Sequence, residues 1–173
     1  MNEVVIHSCM EEIQVRQMVK EDLRQVQEID HISFSLPWPN KAFEYELRNN
    51  VPGKPGRSIQ WVAECTRLND NLDVQKSILG MIIAWFIIDE VHIATLAVLP
   101  EHRRKGIARK LVSRVLQEAK NLGFNKVTLE VRAGNTPAQE LYEQFGFKQA
   151  GIRRRYYKDN NEDAYIMNLL EKN

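Results

Sequence analysis

The spacing of apolar and polar positions divides the chain into short strands and amphipathic helices. Ile13-Gln-Val-Arg-Gln-Met18 alternates residue by residue and predicts a first strand. Leu23, Val26, Ile29 and Ile32 then recur at near-helical spacing, with Asp22 close to the helix start. Leu36-Pro37-Trp38-Pro39 ends that helix, because proline cannot continue one. Asn40 stands where the cap of a second short helix belongs, one that carries Phe43 and Leu47. Residues 52–56 read as a loop and residues 59–65 as a strand, and the polar stretch 67–77 reads as a surface hairpin connection. Residues 78–88, rich in Ile with Trp85 and Phe86, read as a buried strand. A turn at Asp89-Glu90 leads from it into another strand over residues 91–98.

The second half is more regular. Ile107, Leu111, Val115, Ala119 and Leu122 form a helical stripe that Gly123 closes. Val127, Leu129 and Val131 alternate with Thr128, Glu130 and Arg132, a strand with one apolar face. Thr136-Pro137-Ala138-Gln139 reads as a capping box with proline at the first helical position. Ala138, Leu141, Tyr142 and Phe145 share one face of the helix that follows, and Gly146 ends it. Residues 147–157 and 164–170 close the chain as two long strands. The order β-α-α-β-β-β-α-β-α-β-β predicts an α/β domain around one mixed sheet.

Bulk properties narrow the function classes. A length of 173 residues fits a single domain over 1–173, with 1–11 as a flexible extension ahead of the first strand. A formal net charge of +1 means that any anion site must come from local clustering rather than from the whole molecule. Cys9 and Cys65 have no C-x-x-C spacing, which argues against a disulfide framework or a zinc cage. His7, His31, His92 and His102 are scattered, show no ligand spacing and read as surface or packing residues; no metal is implied. The start of the chain lacks the basic and apolar segments of a signal peptide, and the apolar run 78–88 falls short of the ~20 residues that span a bilayer. A soluble cytoplasmic protein with reduced thiols and no membrane partner is expected.

One segment carries a local charge cluster. The strand Thr95-Leu-Ala-Val98 runs through Leu99-Pro100-Glu101-His102 into Arg103-Arg104-Lys105-Gly106-Ile107-Ala108-Arg109, which opens the long helix. A helix N-terminus offers unpaired N–H groups and partial positive charge, so four basic side chains there oppose the dipole. Helix stability does not account for them, whereas a bound polyphosphate does. Gly106 and Ala108 let such a ligand approach the backbone. The bland alternative is a solvated basic turn. The pattern matches neither a Walker loop nor G-x-G-x-x-G.

With these residues in view, the sequence resembles the GNAT acetyltransferases, whose acetyl-CoA loop [QR]-x-x-G-x-[GA] is matched by Arg103-x-x-Gly106-x-Ala108. Three further segments resemble the bacterial ribosomal-protein-alanine N-acetyltransferases, the RimI group. They are Leu129-Glu-Val-Arg-Ala-Gly-Asn135, Leu141-Tyr-Glu-Gln-Phe-Gly-Phe147, and Arg154-Arg-Tyr-Tyr157 followed by Glu162-Asp163-Ala164. With Leu36-Pro37-Trp38 near the front, the resemblance covers nearly the whole chain. It implies a GNAT fold, a single mixed and mostly antiparallel sheet flanked by about four helices, and acetyl-CoA as cofactor. It further implies that Leu96, Ala97 and Val98 pair with the pantetheine arm, that Arg103, Arg104, Lys105, Gly106, Ile107, Ala108 and Arg109 hold the pyrophosphate, and that Asn135 touches the cofactor. Glu130 matches the family's proton acceptor and Tyr142 its proton donor. The chain departs from the family at Ala108, where many members have Gly, and at Leu36, where relatives often carry Phe. The 67–77 segment also looks longer than in compact relatives.

The implied chemistry is direct transfer from a thioester to an amine. A free α-amino group has a pKa of ~7.7–8.0 against ~10.4 for lysine, so it is partly neutral near pH 7 and a modest base suffices. Glu130 points away from Val127, Leu129 and Val131, and can take the amine proton through a water; by pattern alone it is an ordinary solvent-facing Glu. Tyr142 can protonate the leaving thiolate if its helix face borders the cleft; otherwise it is a core tyrosine. A backbone N–H near Val98 is placed to polarise the carbonyl. No side-chain nucleophile is required. Leu36, Pro37, Trp38, Tyr156 and Tyr157 are the candidate peptide pocket, with core packing as the alternative for Trp38 and the tyrosines. The expected partner is the N-terminus of a protein, a ribosomal one by resemblance, bound by a monomer without nucleic acid. Competing readings are a lysine or small-amine acetyltransferase of the same fold, a non-catalytic acyl-CoA-binding module, and an RNA-binding module using the basic runs. The near-neutral charge and lack of a stacking-aromatic motif weigh against the last.

Overall fold

The computed structural model describes residues 12–51, 54, 56–68 and 74–170. The extension assigned to residues 1–11 lies outside them, as do 69–73 of the polar connection and most of the 52–56 loop. The elements in chain order are β1 (Glu12–Gln17), α1 (Leu23–Ser33), α2 (Asn40–Arg48), β2 (Ser58–Leu68), β3 (Val74–Ile87), β4 (Glu90–Val98), α3 (Ile107–Asn121), β5 (Lys126–Arg132), α4 (Thr136–Gln144), β6 (Lys148–Tyr157) and β7 (Glu162–Leu170). Short 3₁₀ turns precede α1 and α3. The strands form one seven-stranded sheet in the order β1-β2-β3-β4-β5-β7-β6. Every neighbouring pair is antiparallel except β4 and β5. The predicted element order and mixed sheet are therefore present. Among the described residues, no helix is long and apolar enough to cross a membrane.

Each sheet face is covered by a different helix pair. Leu111, Val112 and Val115 of α3 and Tyr142 of α4 pack with Ile82, Ala84, Phe86, Val127 and Leu129 on one face. Val26 and Ile29 of α1 and Phe43 of α2 pack with Val62, Met81 and Ile83 on the other. Alternation along each strand sends consecutive side chains to opposite layers, which is why β3 reads as an unbroken apolar run.

The helix starts differ from the sequence reading. Pro39, not Asn40, occupies the N-cap of α2; its fixed backbone accepts the Ala42 N–H at 2.8 Å and Asn40 is the first helical residue. Asn135, not Thr136, caps α4: its side chain accepts the Ala138 N–H at 3.3 Å, moving Pro137 to the second helical position. Asp22 precedes α1, but its carboxylate takes Arg16 at 2.7 and 2.8 Å and the Val19 N–H at 2.8 Å rather than capping the helix. The β3–β4 turn falls at Ile88-Asp89, one residue earlier than predicted, with Ile88 at φ 54. β2 and β3 also run further into the polar connection than the apolar run indicates, to Leu68 and from Val74.

Two irregularities in β4 shape everything that follows. Against β3, the register steps from Thr95↔Ile83 to Ile93↔Ala84, leaving Ala94 as an extra residue, a β-bulge. Against β5, pairing is confined to Val91–Ile93 with Val127–Leu129. Beyond the bulge the two strands part, and a gap opens in the middle of the sheet.

Candidate active site

The gap is the site. A cleft of about 660 Å³ runs through it, lined by Leu96, Ala97 and Val98 of β4, by His102, Arg103, Arg104 and Gly106 of the loop, by the first turn of α3 and the cleft-facing residues of α4, with Ser33 and Phe34 at the end of α1. Leu99 N–H bonds Leu79 C=O at 2.9 Å, and the register pairs Gly80↔Val98 and Met81↔Ala97. In an antiparallel ladder hydrogen-bonded and non-hydrogen-bonded pairs alternate. Leu99 and Ala97 therefore bond toward β3, and the N–H groups of Leu96 and Val98 point into the gap. An extended ligand laid there meets a strand edge with unpaired donors, which β5 would have satisfied had it continued.

The basic loop closes one end. Arg104 at φ 63 and Gly106 at φ 78 both adopt the left-handed conformation, and Gly106 is the N-cap of α3. Such a conformation is costly for a non-glycine residue and curls backbone N–H groups inward, a shape suited to anions. Space for a Cβ is open at Gly106, so its φ, not crowding, demands glycine there. Arg103 donates its Nε–H to Val98 C=O at 3.0 Å, tying loop to strand. Arg109 bonds Gln144 and lies 5.4 Å from the Phe145 ring centroid, which bridges α3 to α4 across the cleft. Ile107 and Ala108 complete the lining. Lys105 is exposed and not part of it. An elongated groove with free strand donors at one end and a cationic helix start at the other fits a ligand with an amide arm and a diphosphate. Asn135 lines the cleft too, while its side-chain oxygen is engaged in capping α4.

The two residues expected from sequence to carry the chemistry, Glu130 and Tyr142, lie in different layers. Glu130 faces the α1/α2 layer, opposite Val127, Leu129 and Val131, as its strand position requires. Its Oε2 meets His92 Nε2 at 3.1 Å and its Oε1 meets Arg153 Nη2 at 3.0 Å. The hydrogen bond from His92, and then the charge of Arg153, hold its carboxyl below the usual carboxylate range against the opposing effect of burial. Tyr142 follows cleft-lining Leu141 but is itself buried against Phe147, at 5.6 Å between centroids. Burial pushes its phenol well above the ordinary value, with Tyr157 adding to the shift. Tyr157 is pushed up to about 12, chiefly by burial, and feels both Glu130 and Arg132.

The residues read as a peptide pocket come from the α1–α2 loop and the end of β6, which the structure joins. Ser35 bonds Asp159, and Arg132 donates to Asp159 at 2.7 Å, to Glu162 at 3.0 Å and to Ser35 at 3.4 Å. The same guanidinium lies 3.8 Å from the Tyr157 ring centroid, and Tyr156 packs edge-on to Tyr157 at 5.2 Å. Leu36 is exposed and Pro37 half-buried beside this junction. Trp38 turns inward: its N–H bonds Asp30 at 2.7 Å and its ring lies 5.5 Å from Phe43 and 5.9 Å from Trp85. Trp85 in turn stacks on His92 at 5.9 Å, so a row of rings runs from the α1–α2 loop to Glu130.

His92, read from sequence as a surface or packing residue like the other three histidines, lies against Glu130. It stands in register with Thr128 on the face that carries Glu130, a match visible only once the β4–β5 pairing is known. Arg132 and Arg153 likewise gain their places from strand pairing, not from any motif.

Residues 23–147 match the acetyltransferase (GNAT) family. A putative ribosomal protein bS18-alanine N-acetyltransferase of Bacillus subtilis (strain 168) is 34% identical over 155 residues, 88% of this chain and 92% of its own length. The ribosomal protein bS18-alanine N-acetyltransferase of Escherichia coli (strain K12) is 31% identical over 150 residues, 86% of this chain and 90% of its own. The crystal structure of the ribosomal-protein-S18-alanine N-acetyltransferase from Escherichia coli superposes with a TM-score of 0.73 at 27% identity, covering 94% of this chain and 96% of that one. The chain belongs to the acetyltransferase (GNAT) family, as an acyltransferase whose cofactor is acetyl-CoA.

Proposed function

We propose that this enzyme acetylates the α-amino terminus of a protein by direct transfer, with the N-terminal alanine of ribosomal protein bS18 as its target. The observation that carries the reading is the place of Glu130. Its carboxylate stands beside the gap, on the face where the loop bearing Leu36-Pro37 meets the end of β6 with Tyr156-Tyr157. The names of the Bacillus and Escherichia relatives supply the target.

Bound acetyl-CoA supplies the thioester whose carbonyl carbon takes the amine. The Val98 N–H, pointing into the gap, would donate to the thioester's carbonyl oxygen. Glu130 accepts the proton released from nitrogen. A carboxylate held below its usual range stays ionised at neutral pH, and it suffices because an α-amino group titrates near ~8 and becomes far more acidic on attack. Tyr142, next to cleft-lining Leu141, would donate a hydrogen bond to the departing sulfur.

The test is Glu130→Gln assayed with acetyl-CoA and a library of peptides with free N-termini, read by mass spectrometry. Acetyl mass on the α-amino group, with turnover cut about 100-fold or more and acetyl-CoA affinity retained, is expected. Wild-type turnover by the variant refutes the base assignment. Acetylation of lysine side chains alone refutes the substrate class.

A further inference from the structure

His92 is unusual for a half-buried histidine in that both ring nitrogens are committed. Nδ1 lies 2.9 Å from Thr128 Oγ1, and Nε2 lies 3.1 Å from Glu130 Oε2. Thr128 Oγ1 is itself 3.2 Å from Glu90 Oε1. A carboxylate can only accept, so the threonine hydroxyl donates to Glu90, and the same oxygen holds the Nδ1 side of the His92 ring. Glu90 is fixed from its other side by Lys126. Trp85 stacks on the imidazole and stops it from turning. The ring is thus fixed in plane and tilt where its Nε2 meets Glu130.

We propose that His92 is the positioning residue of the catalytic base, holding Oε2 of Glu130 so that Oε1 is presented to the incoming amine. The inference rests on the reading of Glu130 as that base. Arg153 occupies Oε1 in the absence of substrate and is half-exposed, so it can be displaced by an ammonium group. His92 is largely enclosed and stays. The two partners of the carboxylate therefore differ in kind: one is a fixed brace and the other a removable cation. The charged and titratable groups that face this pair are Glu90 and Lys126 through Thr128, Arg153 from β6, and Tyr157 through its effect on Glu130.

The test separates bracing from mere packing. His92→Asn keeps a donor near Nδ1 but removes the bond to Glu130, whereas His92→Gln carries its amide out to the Nε2 position. His92→Asn should lower kcat on order of 10- to 100-fold, the effect of a base misplaced by about 1 Å, with peptide KM and acetyl-CoA Kd little changed. His92→Gln should recover most of that loss. In the double variant with Glu130→Gln, kcat should equal that of Glu130→Gln alone, because the brace has nothing left to position. Independent, multiplicative losses, equal impairment of Asn and Gln variants, or a loss confined to KM would each overturn the proposal while leaving Glu130 as base. Full activity of the single Glu130→Gln variant would instead remove the base itself.

Discussion

Gly80 lies on β3 directly behind the cofactor edge, and replacing it with alanine tests how tightly β4 is held there. A Cβ at this position would fall 2.8 Å from Ala97 C=O, 3.0 Å from Val98 Cγ2 and 3.3 Å from Ile107 Cγ2. Ordinary contact begins at 3.4 Å, so β3 and β4 must part by about 0.6 Å at the residues that line the cleft. The atom that must yield first is a backbone oxygen, not a flexible side-chain end. Overpacking of this kind costs about 1–3 kcal/mol, offset by about 0.5–1 kcal/mol from the reduced freedom of the unfolded chain. The net loss of about 1–2 kcal/mol corresponds to a fall in Tm of about 2–8 °C for a domain of this size. Because the displaced residues are Ala97, Val98 and Ile107, acetyl-CoA affinity should weaken about tenfold as well. Thermal unfolding and isothermal titration read the two effects. Gly151→Ala is the control: its Cβ would meet only Ile166 Cδ1 at 3.4 Å, and stability should stay within about 0.5 kcal/mol. A Gly80→Ala protein with unchanged Tm and unchanged acetyl-CoA Kd would refute the close approach of β3 to the cofactor edge.

Three further outcomes follow from the same geometry. Arg104→Ala combined with Arg109→Ala should weaken acetyl-CoA binding roughly 10- to 100-fold by calorimetry, more at low salt than at high, and unchanged affinity would remove the diphosphate assignment. Asn135→Ala should cost about 1 kcal/mol in denaturant unfolding, while Asn135→Asp, which still caps α4, should not; equal losses would show that the cap is not what Asn135 contributes. Arg16 joins Asp22 and Glu64, which lie almost entirely inside and whose pKa values are lowered by Arg16 against the cost of burial. Folded pKa values below the unfolded ones stabilise the protein above the ordinary carboxylate range, and that contribution is lost as pH falls through ~4 toward the depressed values. Arg16→Met should therefore cost about 3 kcal/mol at pH 7, and the gap from wild type should shrink in acid; a pH-independent gap would refute the coupling.

Much of the fold was legible because its signals are local. The stripe of α3, the alternation of β5 and the Gly123 and Gly146 stops each lie within one element. The basic loop was legible for the same reason, since Arg103 to Arg109 stand next to one another and precede a helix. What escaped the sequence depends on partners distant along the chain. His92 becomes a neighbour of Glu130 only through parallel pairing of β4 with β5, and parallel strands leave no hairpin turn to announce their register. The bulge at Ala94 has no glycine or proline to mark it. Asn135 displaced Thr136 as cap because two adjacent residues could both cap, and only the chain path out of β5 chose between them.

The extra residue at Ala94 has a consequence for how two reactants meet. Before it, even-numbered β4 side chains such as His92 belong to the α1/α2 layer; after it, Leu96 and Val98 belong to the layer of α3 and α4. On the proposed assignment, one strand would carry the base's partner on one surface of the sheet and the thioester's edge on the other, and amine and thioester would face each other through the opening between β4 and β5 from opposite sides.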